Sequence, residues 1–452
     1  MVVILKRSKY PYFFIEGSIS SDIIDVLKDE LSYYVEGYEY SDRYKTGQWD
    51  GKECLLKVSR TGHYYFPAGL INRVTKVLDS LGVDYDVVEP EFDVKHLNLQ
   101  WKGPELRPYQ EEAVLKAIEK GSGVICLPTG AGKTIVGLKL IHSLDCPTLI
   151  CVHTKELLYQ WYDRVRSILG YTPGLVGDGH KQFKAITIAM IQTATKLDIP
   201  RGFNMILIDE CHHVPANTFF RVAMRCDAFY RYGLSATPKR EDGADLKIFA
   251  GVGEICANIT AEKLIDQGYL AKPKFIFYDV PAIRLPRGSW QRAYREGIVV
   301  NEIRNTIIAG VVNDLVMDDD LQVYVHVERV NHGQILSSMI DCPFISGKDS
   351  TNKRRRVLEA FRQGRLRAMV STLLGEGVDI PEMDAIVLAH GLKTSTGTIQ
   401  KIGRALRVRK DKDEAIIVDF IDKGPYVAKH FEQRFKTMKE YYGKYFKPEI
   451  RR

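Results

Sequence analysis

The sequence predicts an α/β protein: two tandem domains built on parallel sheets, preceded by a small α+β domain at the N-terminus. Three observations carry this reading. From about Gly123 onward, short and continuously apolar runs alternate with amphipathic segments, the pattern of strands buried on both faces by helices. The alternation restarts after LAKPK (270–274), so a second sheet of similar size follows the first. Residues 1–95 break the pattern, being rich in tyrosine and short in apolar runs.

In the front segment, VVILKR (2–7) and YFFIEG (12–17) read as strands, SDIIDVLKDELSYY (21–34) as a helix, and KTGQWDGK (45–52) as a turn. In the first large domain, VICL (124–127) is a strand and 133–144 a helix. TLICV (148–152) is the next strand, with a helix over 156–169. ITIAM (186–190), MILID (205–209) and YRYGLS (230–235) continue the series. GYLAKP (268–273), with Gly268 and Pro273, reads as the hinge into the second large domain. There FIFYDV, LQVYVHV, RAMVST, AIVLAH and AIIVDF are the strands. The expected division is therefore 1–95, 96–270 and 271–452.

Bulk properties narrow the class without naming it. A chain of 452 residues is too long for one ordinary core. Its 45% hydrophobic and 27% charged content is that of a globular protein, and a net charge of +7 is too mild to imply a polyanionic partner by itself. No run of eighteen apolar residues is present, so no membrane span is expected. The apolar start precedes basic residues, the reverse of a secretory signal. The eight cysteines include no C-x-x-C pair and sit mostly in apolar strands, which argues for reduced core thiols and against zinc or disulfides. A cytoplasmic monomer is the expectation.

The chemistry begins at LPTGAGKT (127–134), placed after a strand and opening a helix. Thr129, Gly130, Ala131 and Gly132 would let backbone amides curl around phosphates at a helix N-terminus already suited to anions. Lys133 would reach the β- and γ-phosphates and Thr134 would ligate Mg²⁺, so ATP and Mg²⁺ are the expected cofactors. A glycine turn merely capping a helix is the weaker explanation, because strand, Gly-Lys-Thr and helix occur together. IDECHH (208–213) lies at the carboxyl end of another strand, where ligand groups of wound sheets gather. Two acids after a strand often do no more than favour a helix dipole. Downstream of a P-loop, Asp209 reads instead as the Mg²⁺ ligand, through water, and Glu210 as the group that polarises the attacking water. His212 reads as a coupling residue near the γ-phosphate, the alternative being a solvated loop residue.

In the second large domain, TIQKIGRALRVRK (398–410) sets Arg404 and Arg407 three apart, on one face if the segment is helical. A basic helix face is usually just solvated. A phosphoryl-transfer site served by two domains needs positive charge from the second, however, and these arginines suit that role. Gln400 can contact the same phosphate or the water.

Read in order, LRPYQ (106–110), LPTGAGKT, VHTKELLYQW (152–161), IAMIQTA (188–194), IDECHH, LSATP (234–238), VSTLLGEGVDIP (370–381) and QKIGRALR (400–407) resemble the ordered motifs of superfamily 2 helicases. The resemblance implies two RecA-like domains and an ATP-driven motor on nucleic acid. It implies that Gln110, with Arg107 nearby, reads adenine. Thr154 and Lys155, Thr193 and Thr372 would hold the nucleic-acid backbone, while Ser235 and Thr237 would couple hydrolysis to strand movement. Gly377 and Asp379 would lie beside the nucleotide, and Arg404 and Arg407 are the paired arginines of the last motif. KRED (239–242), within GLSATPKREDGADLKIFAGVGEI, resembles the triplet of the XPB-type branch. YKTGQWDGKECLL (44–56) and FPAGLINRVTKVLDSLG (66–82) resemble the front domain of UvsW-type phage helicases, which migrate branched junctions and regress forks; a T-five-like phage relative is similar. For a phage protein the expected address is the host cytoplasm.

The partner implied is forked, branched or duplex DNA. KRRR (353–356) and RQGRLR (362–367) are candidate backbone contacts, and an outer charged helix face explains KRRR equally well. Lys45 and Lys52, with Gln48, Trp49 and His63, could grip or wedge a junction. Trp49, flanked by Gly47 and Gly51, is better read as filling a small core at a tight turn. An RNA helicase is the alternative that the DECH motif permits. A non-catalytic binding module conflicts with intact Lys133, Asp209, Glu210, Arg404 and Arg407, and no acidic-lysine nuclease cluster stands in residues 1–95. On this reading removal of residues 1–95 spares ATP hydrolysis but impairs junction processing. Lys133→Ala should lower ATP turnover by about a hundredfold or more, measured as phosphate release; wild-type turnover in that variant would refute the P-loop.

Overall fold

Residues 1, 10, 36, 213–215, 238–244, 286–287, 318–319, 374–382, 394 and 409–411 apart, the computed structural model describes the whole chain. The sequence-predicted Gly377, Asp379 and the KRED segment (239–242) lie outside the described residues. The chain divides into two compact units: Met1–Leu127 with Gly132–Ile259, and Thr260–Arg452 with Pro128–Ala131.

The first unit opens with β1 (Val3–Lys9), β2 (Tyr12–Glu16), α1 (Ser21–Glu30), β3 (Ser32–Tyr34), α2 (Asp42–Lys45), β4 (Lys52–Cys54), β5 (Lys57–Val58), β6 (Tyr64–Pro67), α3 (Ile71–Ser80) and β7 (Tyr85–Val88). A five-stranded sheet runs β5-β6-β2-β1-β7, and β3 pairs β4 apart from it. The Ser20 hydroxyl caps α1 by accepting from Ile23 N. The helix expected to reach Tyr34 stops at Glu30, because Ser32–Tyr34 pairs antiparallel with Lys52–Cys54. That partner is remote in sequence, so local periodicity did not reveal it. Trp49 neither fills a core nor stands free: half-buried, it closes the turn by donating Nε1–H to the Lys52 carbonyl at 2.7 Å.

The same unit continues with α4 (Pro108–Lys120), β8 (Ser122–Cys126), α5 (Lys133–Leu144), β9 (Thr148–Val152), α6 (Lys155–Leu169), β10 (Gly174–Gly177), β11 (His180–Lys181), β12 (Ile186–Met190), α7 (Ile191–Ala194), β13 (Met205–Ile208), α8 (Ala216–Ala223), β14 (Tyr230–Ser235), α9 (Asp245–Val252) and β15 (Ile255–Asn258). Its eight strands are ordered β11-β10-β12-β9-β13-β14-β8-β15, parallel except for the β10–β11 pair. The register aligns the ends of the central strands, with Cys126 opposite Ser235, Gly233 opposite Ile208, and Ile208 opposite Cys151. The fully buried Arg231 on β14 donates to the carbonyls of Gly251 at 2.7 Å, Cys226 and Ala228 at 3.1 Å, and Ala223, which satisfies a charge that would otherwise be costly to bury.

The five-stranded sheet and the eight-stranded sheet share a core through α9. Leu246 and Ala250 of that helix belong to the cluster of Leu5, Phe13, Leu27, Phe66, Val74 and Leu78. Gly69 sits so close to α9 that a Cβ there would lie 2.0 Å from the Phe249 carbonyl oxygen. Buried Lys247 bridges Glu53 at 2.9 Å and Asn217 at 2.5 Å, with the Tyr33 ring centroid 5.0 Å away. Arg7 donates to the Phe229 carbonyl at 3.1 Å and lies 4.4 Å from that ring's centroid.

The second unit contains α10 (Ala261–Asp266), β16 (Lys272–Asp279), α11 (Trp290–Tyr294), α12 (Glu302–Met317), β17 (Val323–His326), α13 (Val330–Ile340), β18 (Phe344–Ile345), α14 (Thr351–Arg362), β19 (Ala368–Ser371), β20 (Ala385–Leu388), α15 (Ser395–Ala405), β21 (Glu414–Ile421), α16 (Val427–Tyr442) and β22 (Pro448–Arg451). Its seven strands run β18-β19-β17-β20-β21-β16-β22, all parallel. Division of the chain at Thr260 places GYLAKP inside this unit rather than at a hinge. The cause is visible: Ala271 N donates to Leu406 O at 2.9 Å, Leu270 bridges Arg407, and Lys444 Nζ holds Asp266 of α10 at 2.7 Å. Arg304 and Arg434, both fully buried, grip Asp422 (2.7 Å) and Asp419 (2.9 Å) and pin α12 and α16 to the end of β21.

Excision of residues 1–95 would uncover Leu246 and Ala250. The 96–452 chain should melt several degrees below the full chain and bind more of a dye specific for exposed apolar surface; equal melting and equal dye binding would refute the shared core.

Candidate active site

Parallel register brings the loops after β8, β14, β13 and β9 to one edge of the eight-stranded sheet. The P-loop leaves β8 with Leu127 N bonded to Ser235 O at 2.9 Å. Gly130 (φ +87°) and Gly132 (φ +82°) occupy left-handed conformations that favour glycine. α5 then starts at Lys133, with Thr134 half-buried in its first turn. The side chain of Gln110, buried on α4, accepts from Arg107 N at 3.0 Å, while Gln110 N donates to the Arg107 carbonyl at 2.8 Å. A Cβ on Gly132 would meet Gln110 Nε2 at 2.6 Å, so the glutamine lies directly against the phosphate loop.

At the end of β13, Asp209 is buried, and its carboxylate is held from two sides. Trp161 Nε1 donates to Oδ2 at 2.7 Å and Glu210 N to Oδ1 at 3.0 Å. Burial first, and the neighbouring Glu210 charge second, push the Asp209 carboxyl up to about 7. Glu210 adopts a left-handed backbone (φ +47°), a strained state for a residue with a side chain. Its Oε1 pairs with Lys133 Nζ at 3.2 Å, and Oε2 lies 3.6 Å from His212 Nδ1. His212 Nδ1 is 2.9 Å from Ser235 Oγ, which donates to Thr237 O at 2.5 Å and accepts from Thr237 N at 3.1 Å. Lys133, Glu210, His212, Ser235 and Thr237 thus form one polar chain. Sequence reasoning singled out each member but not their connection.

Among the described residues no group of three or more His, Cys, Asp or Glu side chains is arranged to hold a metal unaided. A divalent cation that also binds phosphate nevertheless fits at Asp209 with Thr134: a buried carboxylate at the end of β13 and a half-buried hydroxyl in the first turn after the phosphate loop are oxygen donors of the kind such a cation takes.

The predicted nucleic-acid contacts are scattered among different local tasks. The Thr154 hydroxyl caps α6 by accepting from Leu157 N at 3.2 Å. Lys155 pairs with Asp178, which also accepts from Tyr159. Thr193, on α7, and Thr372, just past β19, are half-buried. Lys45 is exposed on α2. Lys52 holds Asp29 at 2.7 Å and lies 5.4 Å from the Tyr34 ring centroid.

In the second unit, α15 carries Gln400, which is buried, and Arg404, which is half-buried. Arg407 does not share that helix face, as the spacing had suggested: α15 ends at Ala405 and Arg407 pairs by backbone with Leu270. Lys401 Nζ, buried, holds Glu328 at 2.9 Å, and Lys412 Nζ reaches the Ala405 carbonyl, so two ammonium groups fix the helix that carries Gln400 and Arg404.

A phosphate loop, paired acids and a second wound sheet with buried basic-helix anchors define a P-loop nucleotide hydrolase with tandem RecA-like sheets. Residues 3–88 match the model of the DNA helicase UvsW N-terminal domain, 103–240 that of the type III restriction enzyme res subunit, and 304–409 that of the helicase conserved C-terminal domain. The DNA 3'-5' translocase XPB2 of Sulfurisphaera tokodaii is 30% identical over 439 residues, which cover 86% of this chain and 96% of its own. The ATP-dependent DNA helicase uvsW of Enterobacteria phage T4 is 25% identical, covering 88% and 86%. The ATP-dependent type ISP restriction-modification enzyme LlaBIII, solved bound to DNA, shares the fold at a TM-score of 0.58 and 16% identity, covering 82% of this chain and 32% of its own. The chain belongs to the superfamily 2 DNA helicases of the XPB and UvsW type, ATP-dependent enzymes. Among the described residues no helix is long and apolar enough to cross a membrane.

His212→Ala would cut the polar chain between Glu210 and Ser235. The variant should keep its ATP affinity and lose strand-separating activity several-fold more than ATP turnover; a parallel loss of both would remove His212 from a coupling role.

Proposed function

We propose that this helicase remodels branched DNA, migrating junctions and regressing forks in phage replication, recombination or repair within the host cytoplasm. The observation that carries the reading is the front domain: residues 3–88 match the UvsW N-terminal domain and share a core with α9 of the first unit. A domain fused in that way can transmit force to a duplex arm instead of trailing from a linker. Its outer face offers Tyr34, Tyr40 and Tyr44, all exposed, beside Arg43 and Lys45, side chains able to stack on bases and to meet phosphates. Translocation is proposed to run 3' to 5', the direction carried in the name of the XPB2 relative.

For hydrolysis, the P-loop amides and Lys133 hold the phosphates, and Gln110 with Arg107 reads the adenine. Lys133 leaves Glu210 when phosphate arrives, freeing that carboxylate to orient and deprotonate water. Thr134 and Asp209, the latter through water, would hold Mg²⁺, which would supply positive charge against the phosphates. Arg404 and Arg407, with Gln400, are the residues we propose to meet the charge that develops on the transferred phosphoryl group. Phosphate contacts supply most of the grip on DNA and little sequence readout.

The decisive experiment measures ATP turnover with single strand, linear duplex, fork, four-way junction and RNA, each at one fixed salt. Branched DNA should stimulate several-fold more than linear DNA or RNA. Equal stimulation by RNA or by any single strand would leave the motor standing and sink the branch-specific reading.

A further inference from the structure

Trp161 does two things that an ordinary core tryptophan does not. Its ring is buried against α5, the helix that the P-loop opens, at Gly137: a Cβ there would lie 2.9 Å from Trp161 Cη2. Glycine in the middle of a helix costs about 1 kcal/mol relative to alanine, and here the cleared space is occupied by the indole. The other end of the same ring donates Nε1–H to Asp209 Oδ2 at 2.7 Å. Since Glu210 N takes Oδ1 at 3.0 Å, the two bonds together leave the carboxylate little rotational freedom. Leu158 and Val165, on the same helix α6, are fully buried as well, but neither has a polar atom to offer Asp209.

We propose that Trp161 is a positioning residue that fixes the Asp209 carboxylate for the divalent cation, with Gly137 as the notch that seats its ring. The proposal rests on the reading of Asp209 as the cation ligand. An indole N–H is a neutral donor that cannot itself bind or repel the cation, so it orients the carboxylate without competing for it. Carboxylates that ligate metals are held in this way by outer hydrogen bonds, whose loss typically weakens metal binding by about tenfold or more.

The test uses the full-length protein with ADP and Mn²⁺ as the probe, metal binding being read from the electron paramagnetic resonance of free Mn²⁺. Four variants are compared: Trp161→Phe, which removes the N–H while keeping most of the packing; Gly137→Ala, which displaces a ring that still has its N–H; Leu158→Ala, a cavity on the same helix with no bond to Asp209; and Asp209→Asn. Trp161→Phe and Gly137→Ala should weaken Mn²⁺ binding about tenfold, leave metal-free ADP affinity unchanged, and lower kcat more than they raise KM. Leu158→Ala should lower Tm at least as much and leave Mn²⁺ binding unchanged. Unchanged Mn²⁺ affinity in Trp161→Phe, with Asp209→Asn weakened, would overturn the positioning role alone. Equal weakening in Leu158→Ala would reduce Trp161 to packing. Unchanged affinity in Asp209→Asn would overturn the cation assignment underneath.

Discussion

The structure depends first on parallel hydrogen-bond register. In the first unit β8, β14, β13 and β9 pair so that Cys126, Ser235, Ile208 and Cys151 lie near one edge. The P-loop, the Ser235 and Thr237 motif, the paired acids and the segment leading into α6 each begin there. A slip of one residue in any pair would exchange the side chains of that strand's two buried faces and move its motif away from the others. Contacts such as Lys133 to Glu210 and His212 to Ser235 are therefore consequences of register before they are consequences of side-chain choice.

Within that frame charge is buried sparingly and satisfied where it occurs. Arg231 spends its donors on backbone carbonyls, while Arg304 and Arg434 take Asp422 and Asp419. Such pairs add little net stability because desolvation offsets attraction, but losing one partner strands the other charge. Their value lies in geometry: each ties a helix to one particular strand. Lys401 and Lys412 do the same for α15, setting the height and rotation of the helix that presents Gln400 and Arg404.

Most of the two large sheets was legible in the sequence. Apolar runs such as TLICV and ITIAM are bounded as expected, and the P-loop helix begins at Lys133. What escaped has a common physical cause. β10 reads GLVG and β22 PEIR, neither with a sustained apolar run, and both exist because a neighbouring strand offers hydrogen bonds. The end of α1 and the departure of Arg407 from α15 are likewise decided by partners far along the chain. At the candidate site the residue types were readable from spacing, whereas the bond from Trp161 to Asp209 was not. No periodicity joins two residues that only the tertiary fold brings together.

The shared core at α9 also bears on how the protein is made. The apolar face formed by Leu5, Phe13, Leu27 and Phe66 is closed only when Leu246 and Ala250 arrive. At roughly 10 residues per second, the nascent front sheet would wait on the order of ten seconds beside the ribosome with that face incomplete. During synthesis the final closure of the N-terminal segment is therefore timed by the emergence of a helix from the domain that follows it.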